Sequence, residues 1–197
     1  ADARSRQFTV LYDMAKTMSK AFDQKSLMEK LCDCALQSTP AEAAYVFVHE
    51  KDKLVPRAHR RRGDKKDAPK ISASIVKRAI QHRRSVLVAD AGQDLRFAAA
   101  QSIVSKGIES VICAPLLAHE HVVGVLYLHS ATLKGAFTDD HLHMVTALAL
   151  QAAVALEAIR SHEASRQQLL SVFRTVLGAY ERAAGKEVDG HSERVYE

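Results

Sequence analysis

Apolar residues at Leu142, Val145, Ala149, Ala152, Leu156 and Ile159 step 3-4-3-4-3 along the chain. The same register runs on through Glu163, Arg166, Leu170, Phe173, Leu177 and Tyr180. A strand repeats its faces every second residue, so this spacing excludes a strand and predicts one long helix with a single apolar seam. A strict repeat near 3.5 over that length predicts a coiled coil rather than packing on one sheet alone. Glu163 and Arg166 interrupt the seam, as polar residues that set helix register do. Thr138 is the predicted cap, and Asp139 and Asp140 in the first turn suit the positive end of the helix dipole. A shorter seam of the same spacing lies at Phe8, Leu11, Ala15, Met18 and Phe22. The two seams predict a parallel helical-bundle homodimer. Its helix residues are Phe8, Leu11, Ala15 and Met18, then Leu142, Val145, Ala149, Ala152, Leu156, Ile159, Leu170, Phe173 and Leu177.

Between the seams the pattern alternates. Leu27, Leu31 and Ala35 share one side of a predicted helix, with Asp23 or Ser26 as its cap and Thr39-Pro40 as its stop. AYVFVHE (44–50) and KLVPRAHR (53–60) are rich in β-formers around a short turn and read as a hairpin. Helical period returns from Ile71 to His82 with Ser72 as cap, and SVLVADA (85–91) is a short strand. A connector (92–106) follows, with a helical turn through Ala98 to Val104. SVICAPLLA and HVVGVLYLHS flank His119-Glu120-His121 and read as a second antiparallel hairpin. The order is that of an α+β fold with an antiparallel sheet.

Charge is placed unevenly. The net charge is +5, yet residues 51–70 alone hold nine Lys/Arg and three Asp. Taking these from 28 basic and 23 acidic residues leaves 19 against 20 elsewhere. One loop therefore accounts for the basic character. It lacks the interleaved aromatics that stack bases, so a solvated loop is expected and a nucleic-acid partner is not. The 47% apolar content excludes wholesale disorder. No apolar run approaching ~20 residues is apparent, so no membrane span or membrane partner is expected. The start, ADARSRQF, lacks both an initiator Met and a signal-like apolar region, which reads as a fragment or processed product. Three cysteines are too few and odd in number for a disulfide framework, so reduced thiols and a cytoplasmic setting are expected.

Packing or exposure accounts for most of the chemistry-bearing residues. Cys113 lies among apolar neighbours, while His119 and His121 sit at a hairpin tip. A Cys/His nucleophilic pair needs a polar, partly exposed thiol within reach of a base, so no catalytic residue is expected. Two histidines fall short of a zinc site, and His141 and His143 beside Asp139 and Asp140 suit an exposed first helical turn, so no metal is expected. In the connector, Arg96 can hold an anionic group, Phe97 can stack a ring, and Ser102 can direct a hydrogen bond. Alternatively, Phe97 and Ile103 plug the sheet face.

SLMEKLCDCAL, ISASIVKRAIQHRRSVLVADAGQDLRF, GIESVICAPLLAHEHVVGVLYLHS and FTDDHLHMVTALALQAAVAL occur in an order and spacing that resemble a GAF domain from about Ser26 to Ile159. The resemblance implies a five- or six-stranded antiparallel sheet flanked by helices, with long N- and C-terminal helices on one face. On the other face it implies a small-molecule pocket, with Arg96, Phe97, Ser102, Ile103, Ser110, Ile112 and Ala114 as candidate lining residues. A cyclic nucleotide or another small ligand is the implied occupant, and no cofactor is required. Lys134, Phe137 and Asp139-Asp140 echo the cyclic-nucleotide signature only faintly. The implied organisation is an N-terminal helix (1–25), a GAF domain (26–160) and a coiled-coil extension (161–197) leading into an output domain. The implied role is a non-catalytic bacterial signalling sensor that couples ligand binding to that output. GHSERV (190–195) is similar to the start of an HD-GYP phosphodiesterase domain, in which His191 would ligate metal only if the domain were complete. Such an output would hydrolyse cyclic-di-GMP. A third reading is a ligand-free dimerisation module.

Overall fold

The computed structural model describes Tyr12, Lys16 and residues 23–51, 53–63, 71–90, 110–131 and 135–192, with side chains as far as Tyr180. Two units divide the chain, residues 1–157 and 158–197. In the first unit, α1 (Gln24–Ser38) precedes β1 (Ala43–Glu50) and β2 (Lys53–Arg61). Then come α2 (Ala73–His82), β3 (Val86–Val88), β4 (Ser110–Ala118), β5 (His121–Ser130) and the start of α3 (Asp139–Ser192). All strand pairs are antiparallel, in the order β2-β1-β5-β4-β3. Five strands are thus present among the described residues.

Local chemistry explains the helix ends. Asp23 is the cap of α1, and its Oδ1 accepts from the Ser26 N–H at 2.8 Å. At the other end Thr39 Oγ1 donates to Ala35 O at 2.7 Å, immediately before Pro40. Ser72 precedes α2 without a side-chain cap bond, and its backbone N–H donates to the Tyr127 hydroxyl oxygen at 3.2 Å. Thr138 and His141 cap α3 reciprocally: the His141 N–H donates to Thr138 Oγ1 (3.4 Å) and the Thr138 N–H to His141 Nδ1 (3.1 Å). This is a capping box with an imidazole where a carboxylate usually stands, so His141 has a structural task rather than mere exposure.

The sheet has two buried faces. One carries Ala43, Tyr45, Val86, Val88, Val111, Cys113, Val125 and Tyr127, which form a core with Ile75, Val76 and Ala79 of α2. By strand alternation Ala44, Ile112, Ala114, Leu126 and Leu128 point the other way and are fully buried. On that side α1 lies over β1, where the Cys32 Sγ–H donates to Ala44 O at 3.7 Å. Arg60 on β2 also reaches α1, with Nε 3.0 Å from Asp33 Oδ1 and Nη2 3.1 Å from Glu29 Oε2.

The seam of α3 corrects an expectation. Val145, Ala149, Ala152 and Leu156 are fully buried within this single chain, together with Leu148 and Ala153. They are core residues of the first unit, so they cannot also form a dimer seam. Leu170, Phe173 and Leu177 in the second unit are exposed. Phe8, Leu11, Ala15 and Met18 lie outside the described residues. The expectation drawn from run length is also corrected, because α3 is long and apolar enough over Asp139–Leu177 to cross a bilayer by composition alone. Before residue 157 part of its apolar surface, Val145, Leu148, Ala149, Ala152, Ala153 and Leu156, is buried within the chain, while Leu150 and Val154 are exposed.

The first part of the basic segment lies in the expected hairpin strand rather than in a solvated loop. Lys53–Arg61 form strand β2, in which Arg57 pairs with Glu50 and Arg60 with Glu29 and Asp33. Arg62 Nη2 donates to the carbonyls of Leu36 and, at 3.0 Å, Thr39 at the end of α1. Arg62 thereby fastens a helix end whose carbonyls have no intrahelical partner.

Candidate functional site

The α2 face of the sheet holds the candidate site. Along β1, Tyr45, Phe47 and His49 alternate onto this face, and Leu54 joins them from β2. Above them runs α2, whose Ala73, Val76, Lys77, Ile80 and Gln81 recur at helical spacing on one side. Between the two lies an open cleft of about 580 Å³, lined by Phe47, His49, Leu54, Ile71 and those five α2 residues. Its size falls within the range of small-molecule sites, ~300–1,000 Å³. Phe47, Leu54, Ile71 and Ile80 pack on the closed core below but remain partly exposed, so they form an apolar wall open to water.

Beside the cleft a row of rings crosses the sheet. Tyr45 stacks with His59 of β2 (centroids 6.3 Å apart) and with His129 of β5 (5.8 Å). His129 is fully buried, whereas His59 is exposed, so the row leads from solvent to the interior. Tyr127 lies fully buried behind it, and burial pushes its hydroxyl pKa well up.

A second cleft, about 1030 Å³, opens around the short strand β3 and is lined by Arg78, His82, Arg84, Asp90, Asp139 and Leu142 among others. Cations from the end of α2 and the following turn share it with carboxylates. The signs offset, so it presents no single charge for a ligand to read. Ser85 Oγ accepts there from Thr146 Oγ1 at 2.8 Å, which joins the residue before β3 to α3.

The predicted lining residues do not gather here. Ser110, Ile112 and Ala114 share one face of β4, as expected, but it is the face turned away from α2. Ser110 Oγ donates to Val88 O at 3.1 Å and is fully buried. Strand alternation correctly grouped these three yet could not say which face carries a cleft, because β4 is buried on both. Arg96, Phe97, Ser102 and Ile103 lie outside the described residues. Phe47, His49, Leu54, Lys77 and Ile80 carried no binding expectation from the sequence, and Ile71 and Val76 marked only helical period. The available signal was the odd-numbered face of β1 together with the 76-77-80-81 side of α2.

The thiols offer no nucleophile. Cys113 is fully buried, and burial pushes its pKa far above the ordinary thiol range. Burial likewise pushes Cys32 up to about 12, against a lowering by Arg60, and raises Cys34. His119 stands in the turn at φ 50, and His121 opens β5 opposite Ala118. Among the described residues no group of three or more His, Cys, Asp or Glu side chains is placed to hold a metal.

Comparison with known proteins gives a family and a set of folds. A family model described as "GAF domain" matches residues 23–157. A solved structure of the GAF domain region of a putative membrane protein from Geobacter sulfurreducens PCA is 22% identical, with TM-score 0.56, covering 69% of this chain and 94% of that one. A free methionine-R-sulfoxide reductase from Neisseria meningitidis, solved with its substrate, is 18% identical with TM-score 0.63, covering 82% and 95%. The chromophore-binding domain of a Stigmatella aurantiaca bacteriophytochrome is 14% identical with TM-score 0.65, covering 80% and 62%. At these identities the likeness is one of fold. No curated protein matches the sequence.

Proposed function

The chain belongs to the GAF domain family, and from that premise we propose that it is a regulatory sensory domain. It binds a small molecule in the cleft beneath α2, associates as a homodimer through α3, and passes occupancy to a downstream output domain in bacterial signal transduction. It acts in the cytoplasm and performs no chemistry itself. The observation that carries this reading is the exposed apolar side of α3 in the second unit. Leu169, Leu170, Val172, Phe173, Val176, Leu177 and Tyr180 are all more than half exposed. They recur at helical spacing, and large contiguous apolar patches on a soluble chain mark interaction surfaces. The 166-170-173-177-180 register is self-complementary in the manner of a coiled-coil seam, which favours a second copy.

Sedimentation equilibrium tests this reading. A dimer in the low micromolar range is expected, and Leu170→Glu with Phe173→Glu should give a monomer with an unchanged melting profile for the sheet. A wild-type monomer at high micromolar concentration would overturn it.

A second reading adds to the first. GHSERV (190–195) resembles the start of an HD-GYP domain, and it favours cyclic-di-GMP hydrolysis as the output. A longer chain carrying the residues after Glu197 should hydrolyse cyclic-di-GMP and lose that activity on His191→Ala. Unaltered activity in that variant would remove His191 from the site.

A further inference from the structure

The geometry points to a ligand class for the α2 cleft: an apolar body bearing a single carboxylate-type anion, held by Lys77. This inference rests on the cleft being the sensing site proposed above.

The wall decides the body. Phe47, Leu54, Ile71 and Ile80 stay partly exposed on an otherwise closed core. Covering them with an apolar group removes that surface from water at little cost in polar desolvation. A nucleotide is the opposite case. Its sugar and phosphate oxygens would enter a cleft whose described lining is mainly aliphatic and aromatic, and each polar group left unmatched there weakens binding.

The rim decides the head group. Lys77 is exposed and lies four residues from both Ala73 and Gln81, so these three share one line along α2. Val76 and Ile80, on the adjoining line, are more buried. The cleft is therefore apolar within and cationic at its edge. No carboxylate is among its described lining residues, so none of these neutralises the ammonium or would attract a ligand cation. Gln81 offers an amide N–H to the same head group. Ala73, small and exposed at the first turn of α2, keeps this edge open.

Binding of decanoate to the full 197-residue chain, below its micellar concentration, tests the class by thermal shift and calorimetry, with decanol and cyclic nucleotides alongside. Decanoate should bind more tightly than decanol. Lys77→Met should weaken decanoate about fivefold and leave decanol unchanged, Lys77→Arg should restore it, and Ala73→Phe should abolish both. Equal binding of decanol and decanoate, or indifference to Lys77→Met, would overturn the anion anchor. If cyclic nucleotides bind instead, and Ala73→Phe blocks them, the ligand class falls while the sensing cleft stands. If neither lipid nor nucleotide probe shifts the melting temperature, both fall.

Discussion

Nε2 of His119 lies 3.3 Å from Glu157 Oε2, so the tip of the β4–β5 hairpin is tied to α3 at the last residue of the sheet-bearing unit. The turn is only His119-Glu120, and His119 takes φ 50 to make it. Positive φ is uncommon outside glycine, though histidine tolerates it better than most. From that turn the imidazole reaches Glu157.

Because both partners are largely exposed (82% and 46%), the pair should contribute little to stability. A double-mutant cycle of His119→Ala and Glu157→Ala should give a coupling of about 0.2–1 kcal/mol that shrinks in high salt. A salt-independent coupling would show that the contact is not ionic.

Arg60 is held differently, since one guanidinium spans two carboxylates on successive turns of α1. Arg60→Ala should lower stability by about 1 kcal/mol in urea unfolding. Arg60→Lys should recover little, because an ammonium cannot present the planar fork that meets both acceptors. Full recovery by lysine would mean that charge alone is at work.

Gly124 sits opposite Val48 where β5 runs close to β1. A Cβ there would lie 2.4 Å from Phe47 O, a backbone atom that moves only with its strand. Gly124→Ala should therefore cost about 1–3 kcal/mol, as overpacking does. A neutral effect on the urea midpoint would show that the two strands can part without loss.

Alkaline pH should loosen the fold through Cys32. Burial raises its thiol from 9.0 to about 12, so the folded chain holds this proton more tightly than the unfolded one. The associated stability is complete below the unfolded value and declines as pH rises from 9.0 towards 12. The slope should approach ~1.4 kcal/mol per pH unit for each such thiol. Between pH 8 and pH 10, Cys32→Ala should lose less stability than the wild type, and an equal loss would assign the effect elsewhere.

Short-range signals are legible in the sequence. The cap at Asp23 or Ser26, which the structure resolves to Asp23, the stop at Thr39-Pro40 and the Thr138 cap each depend on groups within a few residues. The succession of helices and strands followed from hydrophobic period, as did the antiparallel hairpins. Period also put Ser110, Ile112 and Ala114 on one face, and Val145, Ala149, Ala152 and Leu156 on one stripe.

What each apolar face meets was decided only by the tertiary structure. On β4 every residue from Ser110 to Leu116 is buried, so no polar side marks the way out and the cleft face is set by α2 and the neighbouring strands. Along α3 one repeat serves two ends: Val145 to Leu156 are buried in the chain's own core, while Leu170, Phe173 and Leu177 stay exposed. Periodicity specifies that a stripe is apolar, because side-chain direction follows from local backbone geometry. Which partner covers it depends on distant parts of the chain, and no local spacing encodes that.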